Sequence, residues 1–175
     1  CSNPPCSLVN CTKNVYADVK DAYDVAVFGD LAYLADGWGG LKIIDLTGAQ
    51  NNLVASWTPP VTQGSSLRSV QKVGDYLYLA DGEYNGNIWI VNVGDPVNPS
   101  LDGRIKYIVD KVVVSGNVAY TAGYGGVAAI DITDMAKPSL LCSYGTPNKS
   151  LDVLYKSSYL YVGDASGFYI LRLIK

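Results

Sequence analysis

Acidic side chains recur at one point of the sequence pattern, and they are the first residues that could do chemistry. Asp36, Asp81 and Asp164 each follow a short apolar run that contains a tyrosine. A ring of such carboxylates would bind Ca²⁺ or supply an acid/base pair. The interpretation that we favour is structural, because an Asp in this position accepts backbone N–H groups and fixes the following turn.

The segment after the second of these residues is longer than its counterparts. Asp81, Glu83, Asn85 and Asn87 place side-chain oxygens at alternate positions, which resembles the first half of an EF-hand calcium loop. The closing bidentate acid is missing, because Asn92 stands at the twelfth position. This is therefore a weak calcium candidate. A two-residue insertion in a hairpin explains the segment without a metal, and we expect no cofactor.

Three aromatic residues, Trp38, Tyr84 and Tyr124, lie in the Gly-rich loops that follow these apolar runs. If they share one face of the protein, they would form a recognition surface for a glycan or another protein. The alternative is that each ring covers the edge of its own sheet. The sequence leaves both interpretations open.

The chain has no histidine, which excludes the Ser-His-Asp and Cys-His nucleophiles and any zinc site that uses an imidazole. No Gly-x-Ser-x-Gly segment, phosphate-binding loop or paired-Glu arrangement is present. We therefore expect a protein that is not an enzyme, with a metal-dependent enzyme as the least favoured alternative. The net charge of −3 and the scattered Lys and Arg argue against nucleic acid as a partner. No apolar run is long enough to span a membrane.

Cysteine usage indicates an oxidising compartment. Cys1, Cys6, Cys11 and Cys142 form an even set, which predicts two disulfides and allows three pairings. Their spacing lacks the short knuckle usual for structural zinc. A Cys at position 1 also resembles the acylated first residue of a bacterial lipoprotein, which would provide a lipid anchor. Asn10 and Asn148 begin glycosylation sequons. We expect an extracellular or cell-surface protein.

The elements that position these residues form a repeat. Four segments align so that Gly29, Gly74, Gly116 and Ser157 mark the same turn, which gives periods of 45, 42 and 41 residues. Each unit contains an apolar strand, the turn, a second strand, a loop and a third strand, and a weaker fourth strand follows in the first three. One tyrosine position is shared by all four units, which indicates packing between units; it holds Tyr33, Tyr78, Tyr120 and Tyr161. Short strands at this period predict an all-β, four-bladed β-propeller.

The third strands, such as Leu41-Lys-Ile-Ile-Asp45 and Val127-Ala-Ala-Ile-Asp131, resemble the repeat of the LVIVD-repeat family of prokaryotic exported β-propellers. An Asp-Gly-rich turn precedes the strand there, and a Pro-containing segment follows it. The fourth copy departs from the pattern, with Arg172 in place of the terminal Asp. The resemblance covers residues 15–175. It implies the architecture and a surface-exposed class of protein without a shared catalytic motif.

The predicted organisation is a Cys-rich arm at residues 1–14 and one propeller domain at residues 15–175. The blades occupy approximately residues 24–58, 69–106, 111–144 and 152–175, with residues 15–18 added to the last. The final blade has no outer strand of its own, so we expect an N-terminal strand at residues 14–17 to complete it. That strand comes from the same chain and closes the ring, or it is exchanged with a neighbouring copy.

The function expected from the sequence is protein–protein contact. The favoured form is a structural or self-assembling subunit, with filaments as one outcome and other copies of the chain as partners. The alternative is a module that binds a surface protein or glycan through Trp38, Tyr84 and Tyr124.

Overall fold

The protein is built from short antiparallel strands. The computed structural model describes residues 18–47, 52–61, 64–82 and 86–174. Fifteen strands in this part of the chain form four sheets, each with its strands in sequence order. Within the same residues, no helix has the length and hydropathy needed to cross a lipid bilayer.

The first two sheets have four strands each. Sheet 1 contains β1 (Asp24–Phe28), β2 (Leu31–Ala35), β3 (Leu41–Asp45) and β4 (Asn52–Trp57). Sheet 2 contains β5 (Leu67–Val73), β6 (Tyr76–Asp81), β7 (Asn87–Asn92) and β8 (Ser100–Lys106).

The third sheet repeats this pattern, and the fourth has one described strand fewer. Sheet 3 contains β9 (Lys111–Ser115), β10 (Val118–Gly123), β11 (Gly126–Asp131) and β12 (Ser139–Tyr144). Sheet 4 contains β13 (Ser150–Lys156), β14 (Tyr159–Asp164) and β15 (Gly167–Arg172). The predicted strand at residues 14–17 and the Cys-rich arm lie outside the described residues.

The first hairpin of every sheet turns through the left-handed backbone region. Gly29, Gly74 and Gly116 have φ values of 56°, 56° and 57°, as a tight hairpin turn requires. In sheet 4, Ser157 and Ser158 take this place with φ values of 51° and 67°. A side chain in this region strains the backbone, so the fourth hairpin is the least relaxed of the set.

Among the described residues, the core consists of three apolar layers, each between consecutive sheets. The first layer joins sheets 1 and 2 and includes Tyr33 and Trp89. The second joins sheets 2 and 3 around Tyr78, and the third joins sheets 3 and 4 around Tyr120. The strands β1, β5, β9 and β13 line the centre, so the architecture is the expected four-bladed β-propeller.

The two faces of a sheet have different roles in these layers. We call the face that carries the shared tyrosine the leading face, because it packs on the following sheet. Tyr33, Tyr78 and Tyr120 lie on the leading faces of sheets 1, 2 and 3. The trailing face packs on the preceding sheet and carries apolar residues of the first strand, such as Val70 and Val153. Burial raises the pKa of each of the three leading-face tyrosines.

Candidate functional site

The recurring Asp residues hold each sheet to the segment of chain that leads into it. Asp36 Oδ1 accepts the N–H groups of Lys20 and Asp21 at 2.8 and 2.7 Å. Asp81 Oδ1 accepts the N–H of Ser66 at 3.0 Å, and its Oδ2 accepts the Ser65 hydroxyl at 2.7 Å. Both carboxylates are fully buried. They tie down the segment before the first strand, which is a larger role than fixing only the turn that follows.

Asp164 combines both roles. Its Oδ1 accepts the N–H groups of Ser166 and Gly167, in the turn that follows, and its Oδ2 accepts the N–H of Asn148. Burial by itself would raise the pKa of Asp164, but the hydrogen bonds from Ser166, Asn148 and Gly167 hold this pKa below its ordinary value. The carboxylate is therefore kept ionised as an acceptor.

Sheet 3 replaces this Asp by Gly123. A Cβ atom at this position would lie 2.6 Å from the carbonyl oxygen of Ile108, in the segment that leads into β9. The incoming chain thus occupies the space that the Asp side chain fills in the other sheets. From the sequence, these acids are expected to fix the turn that follows. In the structure, every sheet also contacts the segment that leads into it, through the Asp carboxylate in sheets 1, 2 and 4 and through close packing on Gly123 in sheet 3.

A depression of about 410 Å³ lies on the propeller axis, at the end where the first strands begin. All four sheets contribute charged or polar residues to it. Its lining includes Asp24, Arg68, Asp110, Lys111, Lys149 and Asp152. Three cations and three carboxylates face this depression, so the lining is neutral as a whole.

The charged groups of the depression link different sheets, and one ion pair joins sheets 1 and 3, which are not consecutive in sequence. Lys111 Nζ of sheet 3 lies 2.9 Å from Asp24 Oδ2 of sheet 1, and the same oxygen accepts the Val70 N–H of sheet 2 at 3.1 Å. Lys149 Nζ lies 2.9 Å from Asp110 Oδ1. These contacts fix the spacing of the first strands around the axis. These contacts were not predicted from the sequence, although the opposite charges at the equivalent positions 24 and 111 would have indicated one of the ion pairs.

Two of the three predicted recognition aromatics are exposed at this same end. Trp38 is 57% exposed in the loop between β2 and β3, and Tyr124 is 70% exposed in the loop between β10 and β11. Lys149 Nζ lies 4.4 Å from the centroid of the Tyr124 ring, a cation–π contact at the rim of the depression. Tyr84 lies outside the described residues.

The structure describes two of the four residues of the calcium candidate, Asp81 and Asn87. Asp81 accepts the indole N–H of Trp89 at 3.2 Å in addition to its serine donors, so both of its oxygens are engaged. Asn87 is buried at the start of β7, whereas Glu83 and Asn85 lie outside the described residues. Among the residues that the structure describes, no group of three or more acidic, Cys or His side chains is placed to hold a metal ion.

The remaining sequence candidates are at the surface or beyond the described ranges. Cys142 is exposed on β12, and its predicted partners Cys1, Cys6 and Cys11 lie outside the described residues. Asn148 is exposed in the segment before β13, and Asn10 also lies outside the described residues.

Sheet 4 exposes a strand edge. Its outermost strand, β15, has no partner among the described strands on the side away from β14. An apolar cleft of about 260 Å³ lies beside that edge and separates it from the outer part of sheet 3. Its lining includes Cys142, Tyr144, Leu171 and Leu173. An unpaired strand edge beside an apolar cleft is a ready acceptor for an additional strand.

Comparison with known proteins identifies the repeat and the fold. A family model described as LVIVD repeat matches residues 20–49, 64–106 and 108–146. A comparison of the sequence with curated proteins finds no significant match. The structure is similar to the computationally designed protein Ika4, with a TM-score of 0.63, 16% identity and coverage of 87% of this chain and 91% of that one.

Longer proteins match as well. The computationally designed Ika8 matches with a TM-score of 0.66 and 15% identity, over 87% of this chain and 46% of that one. Sqt1 from Saccharomyces cerevisiae matches with a TM-score of 0.63 and 12% identity, over 82% of this chain and 43% of that one. The chain therefore spans less than half the length of both, and these identities support the fold alone.

Proposed function

Because the chain belongs to the LVIVD-repeat family of β-propellers, we propose that it is a non-enzymatic extracellular subunit that works by protein–protein contact and associates with other copies of itself. The single observation that carries this proposal is the edge of β15 that has no partner among the described strands. Three sheets have four described strands, whereas sheet 4 has three.

An open edge of this kind favours association because its backbone N–H and C=O groups have no partner strand. The apolar cleft beside β15 offers burial for the side chains of an added strand. The sequence predicts a candidate strand at residues 14–17, which precedes β1 in the chain as β4 precedes β5. Exchange of this strand between copies would join them.

The experiment is sedimentation velocity of the chain across a hundredfold range of concentration, combined with negative-stain electron microscopy. We expect concentration-dependent oligomers, and we expect Val15→Pro to reduce them because proline cannot donate to a strand ladder. Circular dichroism shows whether that variant remains folded. A wild-type chain that is monomeric at every concentration contradicts the proposed function.

The proposed extracellular location is tested separately, by the state of the cysteines. Two disulfides involving Cys1, Cys6, Cys11 and Cys142 would lower the mass of the native protein by about four hydrogen atoms relative to the reduced chain. Intact mass spectrometry without reductant measures this difference and also detects an acyl chain at Cys1 or a glycan at Asn10 or Asn148. Four free thiols in material isolated from its source would contradict an oxidising compartment.

The exposure of Trp38 and Tyr124 at one end of the propeller supports a second candidate function, recognition of a glycan or a surface protein. The double variant Trp38→Ala, Tyr124→Ala should lose binding on a glycan array or to intact cells. Binding by this variant at the wild-type level would count against recognition through these rings.

A further inference from the structure

The leading face of sheet 4 is exposed at positions that are buried in every other sheet. Ile170 is 57% exposed, whereas its counterparts Ile43, Ile90 and Ala129 are 0%, 0% and 4% exposed. Phe168 is 66% exposed, and its counterparts are at most 2% exposed; they are Leu41, Ile88 and Val127. Leu154, opposite Tyr161 on the first strand, is 57% exposed. Sheet 4 therefore presents one side of an apolar layer, and no described sheet packs on it.

On its first strand, the trailing face of sheet 1 shows the same contrast, whereas Ala32 and Ile44 on the same face are buried. Val25 is 55% exposed, whereas the equivalent Val70, Val112 and Val153 are 6%, 1% and 2% exposed. Val27, two residues further along β1, is 61% exposed. Scattered apolar residues on a surface are ordinary, but adjacent positions that are buried in each other repeat and exposed in one indicate a missing partner.

The two exposed faces are of complementary type. Every apolar layer in the propeller pairs one leading face with one trailing face. The chain leaves the leading face of sheet 4 exposed, and on sheet 1 it leaves the first strand of the trailing face exposed. Among the described strands, none of those in sheet 4 packs against sheet 1 in the way that β13 packs against β9 and β10.

The existing layers also show which residues would meet. The leading-face tyrosine contacts the trailing-face residue of the next sheet that is equivalent to Val27. Tyr120 stacks on Tyr155 with centroids 4.8 Å apart and planes 7° apart, and Lys72 Nζ lies 5.8 Å from the Tyr33 ring centroid. By this repeat geometry, Tyr161 would pack on a Val27.

We propose that the leading face of sheet 4 packs on the trailing face of sheet 1 of a second copy, so that copies associate head to tail. The proposal rests on the proposed function, because the same neighbour would bring its residues 14–17 to the edge of β15. In the sequence, those residues come shortly before β1, which carries the exposed Val25 and Val27. A head-to-tail pair still has one uncovered leading face and one uncovered trailing face. The contact can therefore propagate through further copies into a ring or a filament.

The experiment that tests this interface introduces a charged residue into each of the two proposed faces of the full chain. Ile170→Asp spoils the leading face of sheet 4, and Val27→Asp spoils the trailing face of sheet 1. Leu140→Asp is the matched control, because Leu140 is also an exposed apolar strand residue, 55% exposed, and lies on sheet 3, outside the two faces proposed to meet. Leu154→Lys is a second leading-face variant. Thermal melts establish that each variant is folded, as expected for exposed positions.

We expect both face variants to raise the dissociation constant for self-association at least tenfold and the control to leave it unchanged. An equimolar mixture of Ile170→Asp and Val27→Asp should form a 1:1 dimer, because one intact interface remains between the unlike copies. Native mass spectrometry with one variant isotope-labelled identifies that dimer. Wild-type dissociation constants for both variants would overturn this interface while leaving self-association, and with it the proposed function, intact. A wild-type chain that never associates overturns both.

Discussion

Sheets 3 and 4 present the same leading face to different surroundings. The face of sheet 3 carries Tyr120 and Ala129, and both are buried against sheet 4. The face of sheet 4 carries Ile170 at the position of Ala129, with Tyr161 beside it, and Ile170 is mostly exposed. Sheet 4 therefore has the more apolar side chain at a position where it contacts less.

This difference shows that the apolar character of a blade face follows the repeat and not the local burial. A face built only for solvent would carry polar residues, because an exposed apolar layer favours association. The face of sheet 4 keeps the composition of an interface, with Leu154, Phe168 and Ile170 in place. The same reasoning applies to Val25 and Val27 on sheet 1.

The largest expected effect is a difference in the free energy of unfolding between a variant in an interior layer and one on the exposed face of sheet 4. Ile90→Ala, in the layer between sheets 2 and 3, should lower the free energy of unfolding by about 2–5 kcal/mol, because it opens a cavity in a packed core. Ile170→Ala should change it by less than about 0.5 kcal/mol in dilute protein, because the side chain is already exposed. Chemical denaturation at low micromolar concentration measures both. Equal losses in the two variants would mean that the face of sheet 4 is covered within the monomer.

A smaller effect compares the two ways in which the incoming chain is held. Asp81→Ala should cost about 2–4 kcal/mol, because Ser65, Ser66 and Trp89 lose their acceptor in a buried place. Gly123→Ala should cost about 1–3 kcal/mol for the opposite reason, since its Cβ would press on the Ile108 carbonyl.

Asp102→Ala, at an exposed position on β8, is the control for loss of a carboxylate and should stay within about 0.5 kcal/mol of wild type. Thermal and urea melts of the three variants test the predictions for Asp81→Ala and Gly123→Ala. If Asp81→Ala behaves like Asp102→Ala, then the hydrogen bonds of Asp81 do not hold the sheet.

The smallest effect concerns the hairpin turns. Ser157→Gly should raise the free energy of unfolding by about 0.5–1 kcal/mol, because it gives sheet 4 the residue that sheets 1 to 3 use at φ values near 56°. Ser115→Gly, in the last position of β9, is the control and should lower it by a similar amount. A destabilised Ser157→Gly variant would show that the serine side chain contributes more than the turn strain costs.

The sequence predicted the architecture well because its signals are local. Each Gly-Asp or Gly-Asn turn between two apolar strands defines a hairpin, and the structure forms β1–β2, β5–β6 and β9–β10 around these turns. The family match confirms the repeat over most of the chain. The shared tyrosine was assigned to packing between blades, which holds for Tyr33, Tyr78 and Tyr120.

The site was predicted less completely because its contacts are distant in sequence. Asp24 and Lys111 are 87 residues apart, and only the closing of the sheets around an axis brings them together. The uncovered faces are not predicted from the sequence, because the apolar positions of β13–β15 match those of the buried sheets, although the fourth copy has Arg172 in place of the terminal Asp. Whether a face meets a partner depends on the arrangement of the blades, which periodicity does not encode.

The most direct test of the head-to-tail contact is a photo-crosslink from position 161. The chain is made with p-benzoylphenylalanine in place of Tyr161, and light and heavy isotope forms are mixed and irradiated. We predict crosslinks between residue 161 and the peptide containing Val27, with mixed light–heavy products. Products that are only light–light and heavy–heavy would show that the faces meet within one chain. Crosslinks that avoid the Val27 peptide would show that another surface covers sheet 4, and either result contradicts the proposed interface.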